Sequence, residues 1–351
     1  MTQFRSLLVS VLFSLLPLGA VAADQAPALT PDHPEHYVVR PGDTLWDISG
    51  RFLRDPWRWP EVWEGNRSIA NPHLIYPGDV IWLSYRDGQP RLSARRPAGR
   101  REIKLQPGIR RETLTEAIPT IPLDAIRPFL TRPRVLSEDE LSSAPRVEAF
   151  VSEHIAGGAG DPFYAGGLES PDVRSYDVVR PGEVYRDPDT GEDLGLEADY
   201  LGDAELVRAG EPSKLMLASA NREIQLGDRL LPDPEDEELE DFVPNPAPPF
   251  VEGKIISVLS GIDQIGRYSI VVITAGEDEG LQPGDVMHIL KRSRPPRSMT
   301  LLGRRSSVGE LPLEEVGTLM VFRSFEKVSY ALVMQATSAI HVNDEVRSPE
   351  G

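Results

Sequence analysis

Hydrolytic or metal chemistry in this chain would have to come from histidine, cysteine or paired carboxylates. The six histidines, His33, His36, His73, His154, His288 and His341, are scattered, with no metal-ligand spacing among them. Cysteine is absent, which removes disulfides, thiol nucleophiles and thiolate metal ligands together. Aspartate and glutamate are plentiful, so a pair of acids acting on a glycosidic bond stays open on composition alone. Most of these acids stand in turns or in an acidic run, and no segment reads as an enzyme-sized helical scaffold. The residues therefore favour binding over catalysis, with no metal and no cofactor expected. Three tryptophans in RDPWRWPEVWEGN have the right chemistry to stack on sugar rings. Trp63, at helical spacing with Val62, reads as core, whereas Trp57 and Trp59 stay open between the two roles.

The elements that must carry such residues are small. A chain of 351 residues with 33 prolines and 29 glycines reads as several turn-rich units. Residues 1–22 combine Arg5, an apolar run from Leu7 to Leu18 and small residues Ala20, Val21 and Ala22, the pattern of a secretory signal peptide. That run is broken by Pro17 and falls short of the ~20 residues a membrane helix needs, so no transmembrane segment is expected after cleavage. A net charge of −18 argues against nucleic acid as a partner. A basic, Pro/Gly-rich stretch at 86–115 and an acidic, Pro-rich one at 233–249 read as linkers that bury no core. With a further linker at 23–34, they leave three folded parts at 35–85, 116–232 and 250–347.

In the first part, His36 to Val39 reads as a short strand, and Pro41 and Gly42 make a turn. Thr44 stands as an N-cap with Asp47 three residues on, and Leu45, Ile48 and Phe52 form the buried face of a helix. Pro60 opens a second short helix that Asn66 ends, and the Pro77, Gly78 turn launches a last strand over 79–83. This strand, helix, helix, strand order, with YVVRPGDTLWDIS at its start and LIYPGDVIWL at its end, resembles the lysin motif (LysM) domain. The Trp-rich middle is longer than that family's usual pattern. The resemblance implies a shallow groove for N-acetylglucosamine polymers such as peptidoglycan. It would be lined by Gly42, Asp43, Thr44 and Leu45 on one side and Asn71, Pro72, His73, Leu74 and Ile75 on the other. Gly42 and Thr44 have turn and capping duties that would demand them without any ligand, Leu45 reads as core first, and Asp43 is balanced between a loop hydrogen-bonder and a sugar contact.

Beyond the first part, QLGDRLLP, LQPGDVMHIL and IHVNDEVRS share one device with YPGDVIWL: Gly-Asp or Asn-Asp at a turn ahead of an apolar strand. Five β-rich runs after residue 250 predict an antiparallel sheet or small barrel, interrupted between Arg292 and Glu315 by an insertion basic in its first half. The middle part reads as another β domain, in which YDVVRPGEVYRDPDTG echoes the first module but runs into turn-forming residues with no helix, and so reads as a hairpin. The fold class is thus multidomain α+β: a βααβ module followed by two mainly antiparallel β domains joined by linkers. The last domain resembles the C-terminal domain of a flagellar assembly protein. The three-part order, with DPWRWPEVWEGN, NPHLIYPGD and RDPDTGEDLG, is similar to the type IV pilus secretin-associated protein family. That resemblance implies a periplasmic anchor at the outer membrane, holding peptidoglycan through LysM and bracing the secretin. A LysM-targeted wall hydrolase, or an anchor for a flagellar or other secretion channel, is the alternative.

Overall fold

A computed structural model describes residues 26–63, 74–95, 118–126, 129, 134–151, 155–168, 173–233, 242–259, 265–292 and 312–349. The expected signal peptide, Asn66, the nominated Asn71, Pro72 and His73, the larger part of the basic linker, the acidic run and the basic loop after Arg292 lie outside the described residues.

The first module runs β1 (His36–Val38), α1 (Leu45–Phe52), a 3-10 turn at Pro56–Arg58, α2 (Trp59–Val62), β2 (Val80–Arg86) and β3 (Gln89–Arg95). Thr44 caps α1 by accepting from the Asp47 N–H, and Leu45, Ile48 and Phe52 face the core with Val62, Ile75 and Ile81. Strand β3 corrects the expected linker at 86–115. Asp87 and Gly88, both at positive φ (52° and 80°), turn the chain back on itself. Pro90, Leu92 and Ala94 then point inward beside β2 in a fully antiparallel register. The basic residues lie on the other face, so composition averaged over the stretch hid a period of two. The 23–34 linker is corrected as well: Leu29 bridges Leu53, and the Arg54 N–H donates to the Ala28 carbonyl at 2.8 Å.

The middle part comprises α3 (Leu123–Ile126), β4 (Arg134–Leu136), α4 (Glu138–Ser143), β5 (Arg146–Phe150), β6 (Ala156–Gly157), β7 (Pro162–Gly166), β8 (Ser175–Arg186), β9 (Asp193–Arg208), β10 (Ser213–Leu217), β11 (Ile224–Gln225) and β12 (Arg229–Pro232). Strands β10, β7, β5, β12, β8 and β9 pair in that order, and β9 returns to β10, closing a six-stranded barrel. Phe163, Val178, Leu201 and Leu215 fill its interior. Hairpin β8–β9 is longer than the barrel is tall: the far end of β9 closes on β10, while its near end pairs with β4 and projects as an arm.

The last part comprises β13 (Asn245–Pro246), β14 (Glu252–Val258), β15 (Ile270–Ile273), β16 (Asp285–Arg292), β17 (Leu313–Ser324), β18 (Ser329–Ala336) and β19 (Glu345–Arg347). Strands β16, β17, β18, β15, β14 and β19 also close into a six-stranded ring. Strand β13 corrects the acidic linker. It lies parallel to β16 at the edge, where prolines are tolerated, and it buries Phe242 and Ala247 on either side. Among the described residues no helix is long and apolar enough to cross a membrane.

One turn recurs through all three parts. The aspartates Asp43, Asp79, Asp161, Asp228, Asp285 and Asp344 each accept, through a side-chain oxygen, the N–H three residues back, at 2.7–3.1 Å. The residue before each aspartate has φ between 72° and 102°, and it is glycine five times and Asn343 once. Such a turn is a generic entry device, which opens a strand after the other five aspartates and leads into α1 after Asp43.

The three parts pack together, which corrects the expectation of separate units joined by linkers that bury no core. A single apolar cluster contains Trp46 and Trp57 from the first module, Ile121, Ile126, Val135 and Tyr185 from the middle part, and Ile270, Val272, Val328 and Tyr330 from the last barrel. Ion pairs flank it: Asp47 with Arg267, Asp189 with Lys254 and Glu192 with Lys327. Glu197 of β9 lies beside the Tyr185 and Tyr330 rings, where burial first, and the charge of Asp199 next, raise its carboxyl above the usual glutamate range. A carboxyl whose folded value is raised favours the fold when protonated and loses that contribution as pH rises through the folded value. Glu197→Gln is therefore expected to melt higher than the parent at pH 7. The gain should vanish below the ordinary glutamate range of about 4, a pattern that a pH series of thermal melts reads directly.

Candidate functional site

The loop between β1 and α1 forms one wall of the expected groove. Gly42 sits at φ 87° with open space where a Cβ would stand, so its backbone conformation, not crowding, requires glycine. Asp43 Oδ2 accepts from the Arg40 N–H at 2.7 Å and from the Tyr37 hydroxyl at 2.9 Å. Burial, and then this carboxylate, raise the Tyr37 hydroxyl above its ordinary range. The Arg51 guanidinium covers the Tyr37 ring at 4.3 Å. Asp43 is thus engaged as a turn brace. Thr44 and Leu45 are 4% and 2% exposed. The first is spent on the cap and the second on the core, so their side chains do not line a groove.

On the opposite wall, Leu74 is half exposed, whereas Ile75 is fully buried. Ile75 is therefore corrected from a groove residue to a core residue: ahead of the Pro77, Gly78 turn it packs into the module's interior with Leu45, Phe52 and Ile81. Trp57 and Trp59 are also buried, which resolves their open role in favour of packing. The structure thus leaves Gly42, Asp43 and Leu74 accessible and withdraws the side chains of Thr44, Leu45 and Ile75.

Sequence reasoning missed what lies between the two walls. The Ile118 N–H donates to the Ile75 carbonyl at 2.8 Å, the Leu45 N–H donates to the Pro119 carbonyl at 3.0 Å, and the Trp46 N–H donates to the Thr120 carbonyl at 3.1 Å. Residues 118–120 therefore bridge the two loops. The only hint in the sequence is IPTIP, an extended text with isoleucines three apart, and nothing in it names the surface that receives them.

A second accessible feature is the outer face of the three-stranded sheet. His36 and Trp82 stack at 4.7 Å with planes 23° apart, Arg95 lies 5.9 Å from the Trp82 ring, and Trp82 keeps 37% of its surface. Alternation through Val80–Arg86 predicts this, since Ile81 faces in and Trp82 must face out. Among the described residues, no three His, Asp or Glu converge as a metal site.

Comparison with known proteins places this geometry. Residues 37–84 match the LysM domain family. The chain is also 40% identical over 58 residues to the uncharacterized protein YqbP of Bacillus subtilis (strain 168), a match that takes in 14% of this chain and 26% of that protein. The chain therefore spans about a quarter of that relative's length. Residues 37–84 are a LysM domain, a module that supports binding to peptidoglycan and an extracytoplasmic, wall-associated place for the protein.

Proposed function

We propose that this chain is a non-enzymatic adaptor of the cell envelope, which holds peptidoglycan through its LysM domain and braces the outer-membrane secretin of a type IV pilus machine through its two barrels. The observation that carries the first half is the LysM domain at 37–84, with Gly42, Asp43 and Leu74 exposed or half exposed at the groove rim. A groove of loop amides and carbonyls with one aliphatic anchor suits a sugar polymer, whose acetamido groups need directional hydrogen bonds and whose methyl groups need apolar contact. The second half rests on the sequence resemblance of the three-part order and of RDPDTGEDLG. It draws support from the form of the two barrels, closed rings that expose few strand edges and offer rigid side-chain surfaces to a partner. The periplasm beside the outer membrane is the compartment this reading requires.

Sedimentation with purified sacculi tests the wall-binding half. Leu74→Ala is expected to weaken binding about fivefold to tenfold, the loss of roughly 1 kcal/mol of apolar contact, without changing the melting temperature. Unchanged sedimentation would remove Leu74 and the groove assignment with it. Crosslinking in intact envelopes tests the other half through the identity of the captured channel.

A further inference from the structure

The groove between the two loops already has an occupant. Residues 118–120 take up the Leu45 and Trp46 N–H groups and the Ile75 carbonyl, with Ile118 4% and Thr120 5% exposed. Each N–H has a single proton to donate. While the Pro119 carbonyl accepts from Leu45, no acetamido carbonyl of a glycan can take that same bond. We infer that residues 118–121 are a built-in plug of the LysM groove, which wall glycan must displace in order to bind. This rests on the reading of the groove as the glycan site.

The plug is also tied to the rest of the molecule. Ile121, fully buried, belongs to the same apolar cluster as Trp46, Val328 and Tyr330. One residue beyond Trp46, Asp47 pairs with Arg267 of the last barrel and lies 3.4 Å from the Tyr268 hydroxyl. Displacing the plug therefore loosens the seat of the LysM domain on the C-terminal barrel. By reciprocity, whatever draws that barrel away opens the groove. A binding site whose competent state is a minor population has its affinity lowered by that fraction.

The test uses the full chain. Ile118→Asp places a charge where an aliphatic side chain is buried and should release the plug. Its binding to sacculi is expected to tighten at least about tenfold over the parent. In parallel, hydrogen exchange on the unmodified protein should show slow amides at Leu45, Trp46 and Ile118, with Ile118 becoming fast when a tetramer of N-acetylglucosamine is added to saturation. Equal sacculus binding by a folded Ile118→Asp variant would overturn the inference, as would an Ile118 amide that stays protected at saturation. The exchange arm decides alone should the variant not fold. If neither protein sediments with sacculi and the tetramer does not bind, the glycan reading itself fails, and the plug inference with it.

Discussion

Trp46→Ala will lower the stability of this protein by about 3–5 kcal/mol, the usual range for removing a fully buried indole. Trp46 is 1% exposed, yet it does not pack into the core of its own module, which Leu45, Ile48 and Phe52 build. It points into the cluster shared with Ile121, Tyr185 and Tyr330. Its backbone N–H survives the substitution and keeps the Thr120 contact, so the loss falls on side-chain packing between modules. Calorimetry should therefore show more than a lower midpoint. A cooperative parent transition is expected to separate into steps, because the contacts that couple the modules have been weakened. Phe52→Ala, of similar size but confined to the first module's core, should lower that module's transition without separating the others.

Asp228→Ala is expected to cost about 3 kcal/mol, most of it from the middle barrel. The carboxylate is buried. It receives two hydrogen bonds from the Arg180 guanidinium, both at 2.8 Å, and one from the Gln225 N–H at 2.7 Å. Removing it leaves the Arg180 guanidinium, only 27% exposed, with the Glu223 carbonyl at 3.1 Å but without its charge partner, and frees a turn N–H at once. Such lost charge-assisted bonds are what make these deletions expensive. Asp344→Ala supplies the comparison. Asp344 makes the same turn bond to His341 at 2.8 Å but has no arginine fork, so its loss should cost about 1 kcal/mol, in the range of a lost cap. Urea titrations of the two variants would measure the difference. Equal costs would mean that the fork contributes nothing.

Arg180 also separates the two similar stretches of sequence. In VVRPGDTLWDIS, Arg40 is exposed, Gly42 takes positive φ and the chain turns into α1. In VVRPGEVYRDPDTG, Pro181 and Gly182 lie inside the continuous strand β8, paired across to β9 with a bulge before Val184. There Arg180 forks Asp228, Tyr185 joins the intermodule cluster, and the Asp187 turn ends the arm. Backbone N–H groups of Thr190 and Asp189 hold the Asp187 carboxyl below its ordinary range, so this turn adds stability above the unfolded carboxylate value and loses it as pH falls.

What the sequence by itself determined is local. The Thr44 cap and the Leu45, Ile48, Phe52 face specify α1; Gly-Asp and Asn-Asp specify the strand-starting turns; β-rich apolar runs bounded by turn residues after residue 250 specify barrel strands. In each case the decisive contacts lie within a few residues, where side-chain type and backbone φ are enough. Tertiary structure decided the rest. Gln89–Arg95 became a strand because β2 was beside it to pair, and Asn245–Pro246 because β16 offered an edge. Trp46 and Ile121 found their partners across more than two hundred residues of chain. The two loops, legible in the sequence, were bridged by residues 118–120, whose extended, proline-flanked text would fit many surfaces equally well. Which surface receives such a segment depends on where distant modules come to rest, and no local pattern carries that information.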